Sequence, residues 1–262
     1  MTPDTDRPIP TYPDLEGKVA LVTGGSKGIG ASCCRVLAAN GVRVVVNGRG
    51  QEAIDALVDE LTSGGAEAIG ISADVTDAAA LEEMRKQAEA ELGPVDILLP
   101  YAGGFTKFLG IEELDEETWR EVIDWNLTST FLSVKSVLPS MMERRTGAIV
   151  TMASNAGRFL DKTTTSSYAA SKAGVIQFTR HIAIELGPYG IRVNSIAPAT
   201  VTSERVLNIM DSEARAKVAA MSPLGRIGTP EDCAFATLFL VSDSAAWLTG
   251  ITMDIAGGRT MI

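Results

Sequence analysis

The stretch Thr23-Gly24-Gly25-Ser26-Lys27-Gly28-Ile29-Gly30 closes the apolar run KVALVT (18–23) and opens an amphipathic pattern near residues 28–40. Its glycines permit a tight turn and let a diphosphate approach the backbone, where free N–H groups at a helix N-terminus stabilise negative charge. A glycine cluster alone is weak evidence, but this one has the strand–turn–helix placement that dinucleotide binding requires. The stretch therefore predicts a dinucleotide-binding turn and a fold built around it.

Outward from this turn, short apolar runs alternate with helical patterns. The strand-like runs are KVALVT, VRVVVN, AEAIGIS, VDILL, GAIVTMA, IRVNSIA and ITMDIA, and the helical patterns lie near 28–40, 51–63, 77–92, 115–140 and 167–186. Such alternation is typical of right-handed βαβ units. The sequence therefore predicts an α/β fold of the single-domain Rossmann type: a doubly wound parallel seven-stranded sheet with helices on both faces, and a ligand over the carboxyl ends of its strands.

Length and composition fit one domain, since the chain has 262 residues and 45% of them are hydrophobic. Residues 1–14 are rich in Pro and Asp, so we expect a mobile N-terminal arm before a single domain over 15–262. A net charge of −10 argues against a nucleic-acid partner. No apolar run approaches the roughly 18 residues that span a bilayer, and no signal segment is evident, so the sequence predicts no membrane partner and a cytoplasmic protein.

The cysteines and the single histidine predict no metal site. Cys33 and Cys34 are adjacent and Cys233 is remote, which fits neither a disulfide framework nor zinc-ligand spacing, and we expect all three to be small buried apolar residues. His181 is the only histidine and reads as a structural residue in a helical pattern. Acid/base chemistry near neutral pH must therefore use a tyrosine, a lysine or a carboxylate.

A Tyr-x-x-x-Lys pair, Tyr168 and Lys172, opens the predicted helix near 167–186. Residues four apart project from one helix face and can converge on one reacting group. Ser154 lies fourteen residues upstream, at the end of the strand GAIVTMA. A Tyr-x-x-x-Lys pair considered alone usually consists of two surface residues without a functional role. Here its placement allows the three side chains to meet over the carboxyl edge of the sheet.

With these motifs the sequence resembles the short-chain dehydrogenase/reductase family from about Leu15 to the last strand, and in particular its NADPH-dependent 3-oxoacyl-reductase or ketoreductase-like members. The matching segments are TGGSKGIG (23–30), ADV (73–75), AGG (102–104), WNL (125–127), MAS (152–154), YAASK (168–172), IRVNSIAP (191–198) and LGRIGTPED (224–232). The resemblance implies an oxidoreductase that transfers a hydride between NADP(H) and a carbonyl or secondary alcohol substrate.

The resemblance also implies a catalytic tetrad of Asn126, Ser154, Tyr168 and Lys172. Tyr168 would be the acid/base, and the ammonium of Lys172 would draw the pKa of that tyrosine down from its usual value of about 10. Lys172 would also bind the nicotinamide ribose. Ser154 would hydrogen-bond the substrate oxygen, and Asn126 would hold a water that links Lys172 to solvent for proton relay.

The prediction of NADP rather than NAD rests on charge. An NAD enzyme usually has an acidic residue after the second strand to bind the adenosine ribose. Here Gly48 stands at that place, Arg49 follows it, and Lys27 lies within the turn, so two cations would flank a 2′-phosphate. The other cofactor contacts implied by the resemblance lie in the turn (Gly24, Ser26, Gly28, Ile29, Gly30), beside adenine (Asp74, Val75), under the ribose (Ala102, Gly103) and at the carboxamide (Pro198, Val201, Ser203).

Two segments depart from the family pattern. Pro100-Tyr101 stands where the family usually has Asn-Asn, which puts the geometry of the neighbouring strands in doubt because proline cannot donate a backbone hydrogen bond. Ala199 replaces the usual glycine after Pro198, so the backbone there is less permissive. The first departure predicts a weakened junction, which asparagines at both positions would strengthen.

Substrate and assembly stay open at this stage. Residues 200–224 are expected to form a substrate lid, and their mixed composition suggests a partly apolar substrate. Arg144-Arg145 could meet an acidic acyl carrier protein, although the net charge of −10 argues mildly against one. The resemblance implies a homodimer or homotetramer through helices containing Trp119–Pro139 and Tyr168–Leu186, with WLTGITMDIAGG (247–258) at a second interface. The alternatives are an NAD-dependent alcohol dehydrogenase, a non-catalytic nucleotide-binding regulator of the same fold, and a nucleotide-sugar epimerase or dehydratase, for which the chain leaves little room.

Overall fold

A computed structural model describes residues 7–159, 164–203, 206 and 210–260. Its centre is a seven-stranded sheet with the order β3-β2-β1-β4-β5-β6-β7, in which every neighbouring pair is parallel. The strands are β1 (Val19–Thr23), β2 (Arg43–Gly48), β3 (Ala68–Ser72), β4 (Ile97–Pro100), β5 (Gly147–Met152), β6 (Ile191–Pro198) and β7 (Thr252–Ile255). The strand order reverses between β1 and β4, which is where this kind of sheet opens a ligand crevice. The predicted fold is confirmed.

Helices cover both faces of the sheet. They are α1 (Gly28–Ala38), α2 (Gln51–Ser63), α3 (Ala78–Leu92), α4 (Glu116–Ile123), α5 (Ser129–Arg144), α6 (Ser166–Leu186), α7 (Ser212–Ala220) and α8 (Pro230–Val241). The helix predicted near 115–140 is confirmed as an unbroken helical stretch from Glu116 to Arg144, in which a π-helical turn over Asp124–Thr128 separates α4 from α5. Apolar periodicity could not reveal this turn, because a π-turn adds one residue without changing which residue types face the core.

The core has two layers, as a parallel sheet buried on both faces requires. All five residues of β1 are buried, and they alternate between the layers: Ala20 and Val22 pack with α1, α2 and α8, whereas Val19 and Leu21 pack with α3, α5 and α6. Cys33, Cys34 and Cys233 are free and buried, as predicted. The two layers hold the carboxyl ends of the strands at one edge, where the loops after β1, β2, β4, β5 and β6 meet.

Part of the predicted N-terminal arm lies against the domain. The Tyr12 N–H donates to Asn40 Oδ1 (2.7 Å), and Asn40 Nδ2 donates to the Pro10 carbonyl (3.0 Å). Arg7 pairs with Asp232 at 2.9 Å and lies over the Phe235 ring. Residues 7–14 therefore contact the loop after α1 and the helix α8. Residues 1–6 lie outside the described residues, so a mobile arm stays a prediction.

The junction at Pro100-Tyr101 is compensated by packing. Pro100 still pairs with Thr23 of β1, while the β4–β5 ladder ends at Leu98 because proline has no N–H to extend it. Tyr101 is buried, and its hydroxyl lies 2.7 Å from the Thr237 hydroxyl of α8. The buried Tyr101 side chain therefore compensates for the expected weak junction, because it connects the end of β4 to α8.

The predicted lid is described only in part. The Thr202 N–H donates to the Gly228 carbonyl (2.8 Å), next to an isolated bridge between Val201 and Gly228, and α7 follows from Ser212. Residues 204–205 and 207–209 lie outside the described residues, so a lid over 200–224 stays a prediction. Within the described residues, no helix has the length and apolar character needed to cross a membrane.

Candidate active site

A cleft of about 940 Å³ lies over the carboxyl edge of the sheet and gathers nearly all of the residues that the sequence predicted for the site. Those that line it are Gly24, Ser26, Lys27, Ile29, Gly30, Arg49, Asp74, Val75, Ala102, Gly103, Ser154, Tyr168, Lys172, Pro198, Val201 and Ser203. Gly28 and Asn126 do not line the cleft. Segments far apart in sequence thus converge, because parallel strands bring their following loops to one edge.

The glycine-rich turn forms one end of the cleft. A Cβ atom at Gly30 would overlap the Gly24 carbonyl oxygen, so close contact between the turn and α1 excludes every larger residue there. Lys27 is the N-cap of α1, and its side chain does not cap the helix. The first N–H groups of α1 therefore face the turn without a side-chain acceptor, which is the arrangement that binds a diphosphate. This cradle fits a dinucleotide.

The charges of this end come from three elements. Lys27 and Arg49 are exposed cations that line the cleft from α1 and from the loop after β2. Asp74, in the loop after β3, accepts hydrogen bonds from the backbone N–H (2.9 Å) and hydroxyl (2.7 Å) of Thr76. These bonds lower the pKa of the Asp74 carboxyl, with a smaller contribution from Arg49. Both cations that the sequence assigned to a 2′-phosphate therefore reach the cleft.

Lys172 lies at the other end of the cleft and is almost wholly buried. Its Nζ donates to the Met152 carbonyl of β5 (2.8 Å) and lies 5.6 Å from the centre of the Tyr168 ring. Burial lowers the pKa of Lys172 from 10.5 to about 7, because desolvation disfavours the ammonium. Near neutral pH this side chain can therefore take up or release a proton.

Asn126 lies beneath this end of the cleft, in the π-turn between α4 and α5, and is fully buried. Its Nδ2 donates to the carbonyls of Gly104 (2.7 Å) and Val122 (2.8 Å), and its Oδ1 accepts from the Gly104 N–H (2.9 Å). Gly103 has φ +150°, and a Cβ atom there would lie 2.6 Å from Asn126 Oδ1 and 3.4 Å from Lys172 Nζ. The Asn126 side chain thus fixes the loop after β4 beside Lys172; its part in a proton relay stays a prediction.

Tyr168 and Ser154 complete the catalytic end. Thr165 is the N-cap of α6, and its hydroxyl accepts from the Tyr168 N–H (3.3 Å), which begins the helix just before Tyr168 and Lys172. Ser154 ends the strand-to-loop passage after β5, and its Oγ accepts from the Ala156 N–H (3.2 Å). The Phe105 ring packs 4.8 Å from the Tyr168 ring. The three predicted catalytic side chains that line the cleft therefore come from β5 and one face of α6.

Some cleft residues were not predicted as site residues. They are Asn47, Gly48, Ala73, Thr76, Tyr101, Thr106, Glu121, Asp124, Trp125, Thr128, Met152, Ala153 and Ala199. Trp125 stands beside Asn126 in the recognised segment WNL, so its position was a usable signal. The carboxylates of Glu121 and Asp124 gave none, because α4 reads as an ordinary solvated helix.

The sole histidine lies outside this site. His181 is exposed on α6, and its Nε2 lies 3.2 Å from Glu185. Among the described residues no cluster of three or more His, Cys, Asp or Glu side chains is arranged to hold a metal ion.

Comparison with known proteins extends these observations. A family model described as short chain dehydrogenase matches residues 18–214. The chain is 37% identical over 249 residues to the 3-oxoacyl-[acyl-carrier-protein] reductase of Escherichia coli K12, covering 95% of this chain and 100% of that protein. It is 34% identical to the 2,3-dihydro-2,3-dihydroxybenzoate dehydrogenase of Bacillus subtilis, covering 94% and 97%. The crystal structure of a 3-oxoacyl-[acyl-carrier protein] reductase with bound NAD from Brucella melitensis matches with a TM-score of 0.89 at 31% identity, covering 100% of this chain and 97% of that one.

Proposed function

The chain belongs to the short-chain dehydrogenase family and is a nicotinamide-dependent oxidoreductase; we propose that it is an NADP(H)-dependent ketoreductase in which Tyr168 is the catalytic acid/base. The observation that carries this proposal is the convergence of Ser154, Tyr168 and buried Lys172 on the cleft that the glycine-rich turn begins. A non-catalytic nucleotide-binding regulator would not need these three groups together. A nucleotide-sugar enzyme is disfavoured because the match to the reductase from Escherichia coli covers 95% of this chain and the whole of that protein.

The cofactor is held by the turn and by residues along the cleft. The uncapped N–H groups of α1 would bind the diphosphate, and Lys172 would bind the nicotinamide ribose. Asp74 and Val75 would lie beside adenine, Ala102 and Gly103 under the ribose, and Pro198, Val201 and Ser203 near the carboxamide. When bound, the nicotinamide supplies or accepts the hydride.

The protein's own chemistry is proton handling and orientation. Tyr168 would donate its phenolic proton to the carbonyl oxygen during reduction and accept a proton from the alcohol during oxidation. Ser154 would donate a hydrogen bond to the same oxygen. Lys172, whose pKa is about 7, would exchange a proton near neutral pH and favour the tyrosinate when it is charged. Asn126 would support both by holding the loop after β4 in place.

The preference for NADP(H) over NAD(H) is supported by Arg49, Lys27 and the absence of an acid at Gly48. The relative from Brucella melitensis binds NAD in its crystal, so family membership alone does not decide this point. Placing an acid at Gly48 would not be a clean test of this preference. A Cβ atom at Gly48 would lie 2.6 Å from Ser26 Oγ, so Gly48→Asp would displace a turn residue while adding its charge. Changes at Arg49 and Lys27 test the preference without that disturbance.

The substrate is proposed to be a small carbonyl compound or secondary alcohol. One relative is named for a 3-oxoacyl group on an acyl carrier protein and another for a cyclic diol, so the family shares the reaction rather than the substrate. Arg144 and Arg145, considered for an acyl carrier protein, lie at the amino end of β5, opposite the cleft. Arg144 pairs with Asp96 and Arg145 donates to the Pro188 carbonyl. Within one subunit this pair does not line the path to Tyr168.

A cytoplasmic homodimer or homotetramer is the proposed state. Large apolar side chains are exposed on the two helices assigned to the dimer face, with Phe131 on α5 42% exposed and Ile184 on α6 77% exposed. Such exposure on neighbouring helices is typical of a surface covered by a partner. Light scattering of the purified protein would give the assembly directly.

The proposed activity is tested by following NADPH oxidation with a panel of ketones, aldehydes and 3-oxoacyl thioesters, and NADP⁺ reduction with the matching alcohols. Tyr168→Phe serves as the matched control, since it removes one hydroxyl from the cleft. Turnover by the wild type and not by the variant is expected. Equal rates of NADPH oxidation in the two proteins, or activity with NADH and none with NADPH, would contradict the proposal.

A further inference from the structure

Arg49, which we propose binds a phosphate, packs against the ring of Trp125. Its guanidinium carbon lies 5.1 Å from the centre of the Trp125 ring, so the loop after β2 touches the π-turn between α4 and α5 across one end of the cleft. Both residues line the cleft. A guanidinium over an indole face is a cation–π contact, and Trp is the aromatic residue that favours it most.

The surroundings of Arg49 are acidic, which makes this contact consequential. Asp74, Glu121 and Asp124 line the same cleft as the two cations Arg49 and Lys27, and Asp74 is close enough to Arg49 for that charge to help lower the pKa of Asp74. Arg49 nevertheless forms no ion pair with a carboxylate of the described residues. Pairing with a carboxylate would occupy its in-plane N–H donors, whereas a cation–π contact uses only the face of the guanidinium.

The residues on both sides of Trp125 form hydrogen bonds. Trp125 precedes Asn126 in the π-turn, and Asn126 is fully buried with hydrogen bonds to Gly104 and Val122. Asp124, on the other side, accepts from the Thr128 hydroxyl at 2.9 Å. Trp125 therefore lies between two residues whose side chains are hydrogen-bonded, to Thr128 on one side and to Gly104 and Val122 on the other.

We propose that Trp125 is the positioning residue for cofactor choice: its indole ring holds the Arg49 guanidinium by its face, so that the N–H donors of Arg49 stay available to an adenosine 2′-phosphate instead of pairing with Asp74. Trp125 acts through Arg49 and not on the reacting atoms. This inference rests on the proposed NADP(H) preference.

The test measures binding rather than turnover. Calorimetry gives the dissociation constants of adenosine 2′,5′-bisphosphate and of adenosine 5′-monophosphate, which lacks only the 2′-phosphate. The preference ratio, defined as the dissociation constant of the monophosphate divided by that of the bisphosphate, is compared for the wild type, Trp125→Leu, Trp125→Phe, Arg49→Leu and the Arg49→Leu/Trp125→Leu double variant. Trp247→Leu is the matched control, because Trp247 lies beside the amino ends of β4, β5 and β6, at the edge opposite the cleft.

Trp125→Leu should lower the ratio by roughly 2- to 30-fold, the range for a cation–π contact from exposed to desolvated surroundings. Trp125→Phe should lower it less, and Trp247→Leu should leave it unchanged. With Arg49→Leu already present, Trp125→Leu should change the ratio no further. If the leucine variant does not fold, as judged by circular dichroism, Trp125→Gln, which also lacks an aromatic face, decides: a ratio equal to that of the wild type overturns the inference.

The outcomes separate this inference from the proposal beneath it. A wild type that binds both nucleotides equally overturns the NADP(H) preference and the inference together. A wild type that prefers the bisphosphate, with Arg49→Leu lowering the ratio and Trp125→Leu leaving it intact, overturns the role of Trp125 alone. Additive losses from Arg49→Leu and Trp125→Leu also overturn it, because the tryptophan would then act independently of Arg49.

Discussion

The two ends of the cleft are built on different physical principles. At the catalytic end, Asn126 and Lys172 are buried and bound to backbone carbonyls, so each polar group has a set place and a large cost if its partner is lost. At the adenosine end, Arg49 and Lys27 are exposed, and their interactions are screened by solvent and salt. We therefore expect substitutions at the catalytic end to abolish proton transfer, and substitutions at the adenosine end to change the preference for NADPH over NADH by degrees.

The largest expected effect is at the catalytic end. Tyr168→Phe should lower kcat by about 10²- to 10⁴-fold, because the general acid that protonates the carbonyl oxygen is gone. NADPH binding should be retained, since the ring that packs on Phe105 is unchanged. Steady-state kinetics and a binding titration check the two halves of this prediction. Turnover near that of the wild type would remove Tyr168 from the mechanism.

A second prediction concerns Tyr101, which supports the middle of the cleft from below. Tyr101→Asn should lower the free energy of unfolding by about 3 kcal/mol or more, because it empties a buried aromatic site beside α8. Tyr101→Phe keeps the ring and should cost about 1 kcal/mol for the lost hydrogen bond to Thr237. Denaturant unfolding of both variants gives the comparison. An asparagine variant at least as stable as the wild type would show instead that the junction was weak, as the sequence suggested.

A third prediction uses the buried charge of Lys172 in the cofactor-free protein. Its pKa is about 7 when folded and 10.5 when exposed, so between these values the unfolded chain binds more protons. The cost of burying the ammonium is full below pH 7 and disappears as the pH rises toward 10.5. The free energy of unfolding of the wild type should therefore gain about 2 kcal/mol relative to Lys172→Met between pH 7 and pH 9. Parallel pH profiles for the two proteins would mean that Lys172 is not buried as a titrating group.

The smallest expected effect is at the adenosine end. Arg49→Leu should reduce the ratio of kcat/KM for NADPH to that for NADH by about 10- to 150-fold, the worth of one charge-assisted hydrogen bond to phosphate. Because Arg49 is exposed, we expect the lower part of this range. Lys27→Ala should act in the same direction. Both cofactors are measured at fixed, moderate salt.

Salt sharpens the same comparison. Raising the ionic strength should narrow the wild-type preference for NADPH and leave the relative loss in Tyr168→Phe unchanged, because screening acts on exposed charges and not on the buried end. A wild type that prefers NADH at every salt concentration would contradict the assignment of Arg49 while leaving the catalytic prediction intact.

The sequence by itself determined the fold and most of the cleft. Periodic apolar runs predicted seven parallel strands because strands buried on both faces must be continuously apolar, and Gly30 marks its turn because only glycine fits there. Tyr168, Lys172 and Ser154 could be identified because their spacing reflects one helix and one strand end. Such features are local, or repeat along the chain, and are therefore visible in it.

Only the tertiary structure decided what depends on contacts between distant segments. The sequence predicted a weak junction at Tyr101, whereas in the structure its hydroxyl contacts the hydroxyl of Thr237 on α8. The sequence placed Arg7 in an N-terminal arm, and the structure shows its ion pair with Asp232. Likewise burial lowers the pKa of Lys172, and the Arg49 guanidinium lies over the ring of Trp125, which is 76 residues away along the chain. Burial and pairing are properties of the packed chain, so no spacing of residues in the sequence could express them.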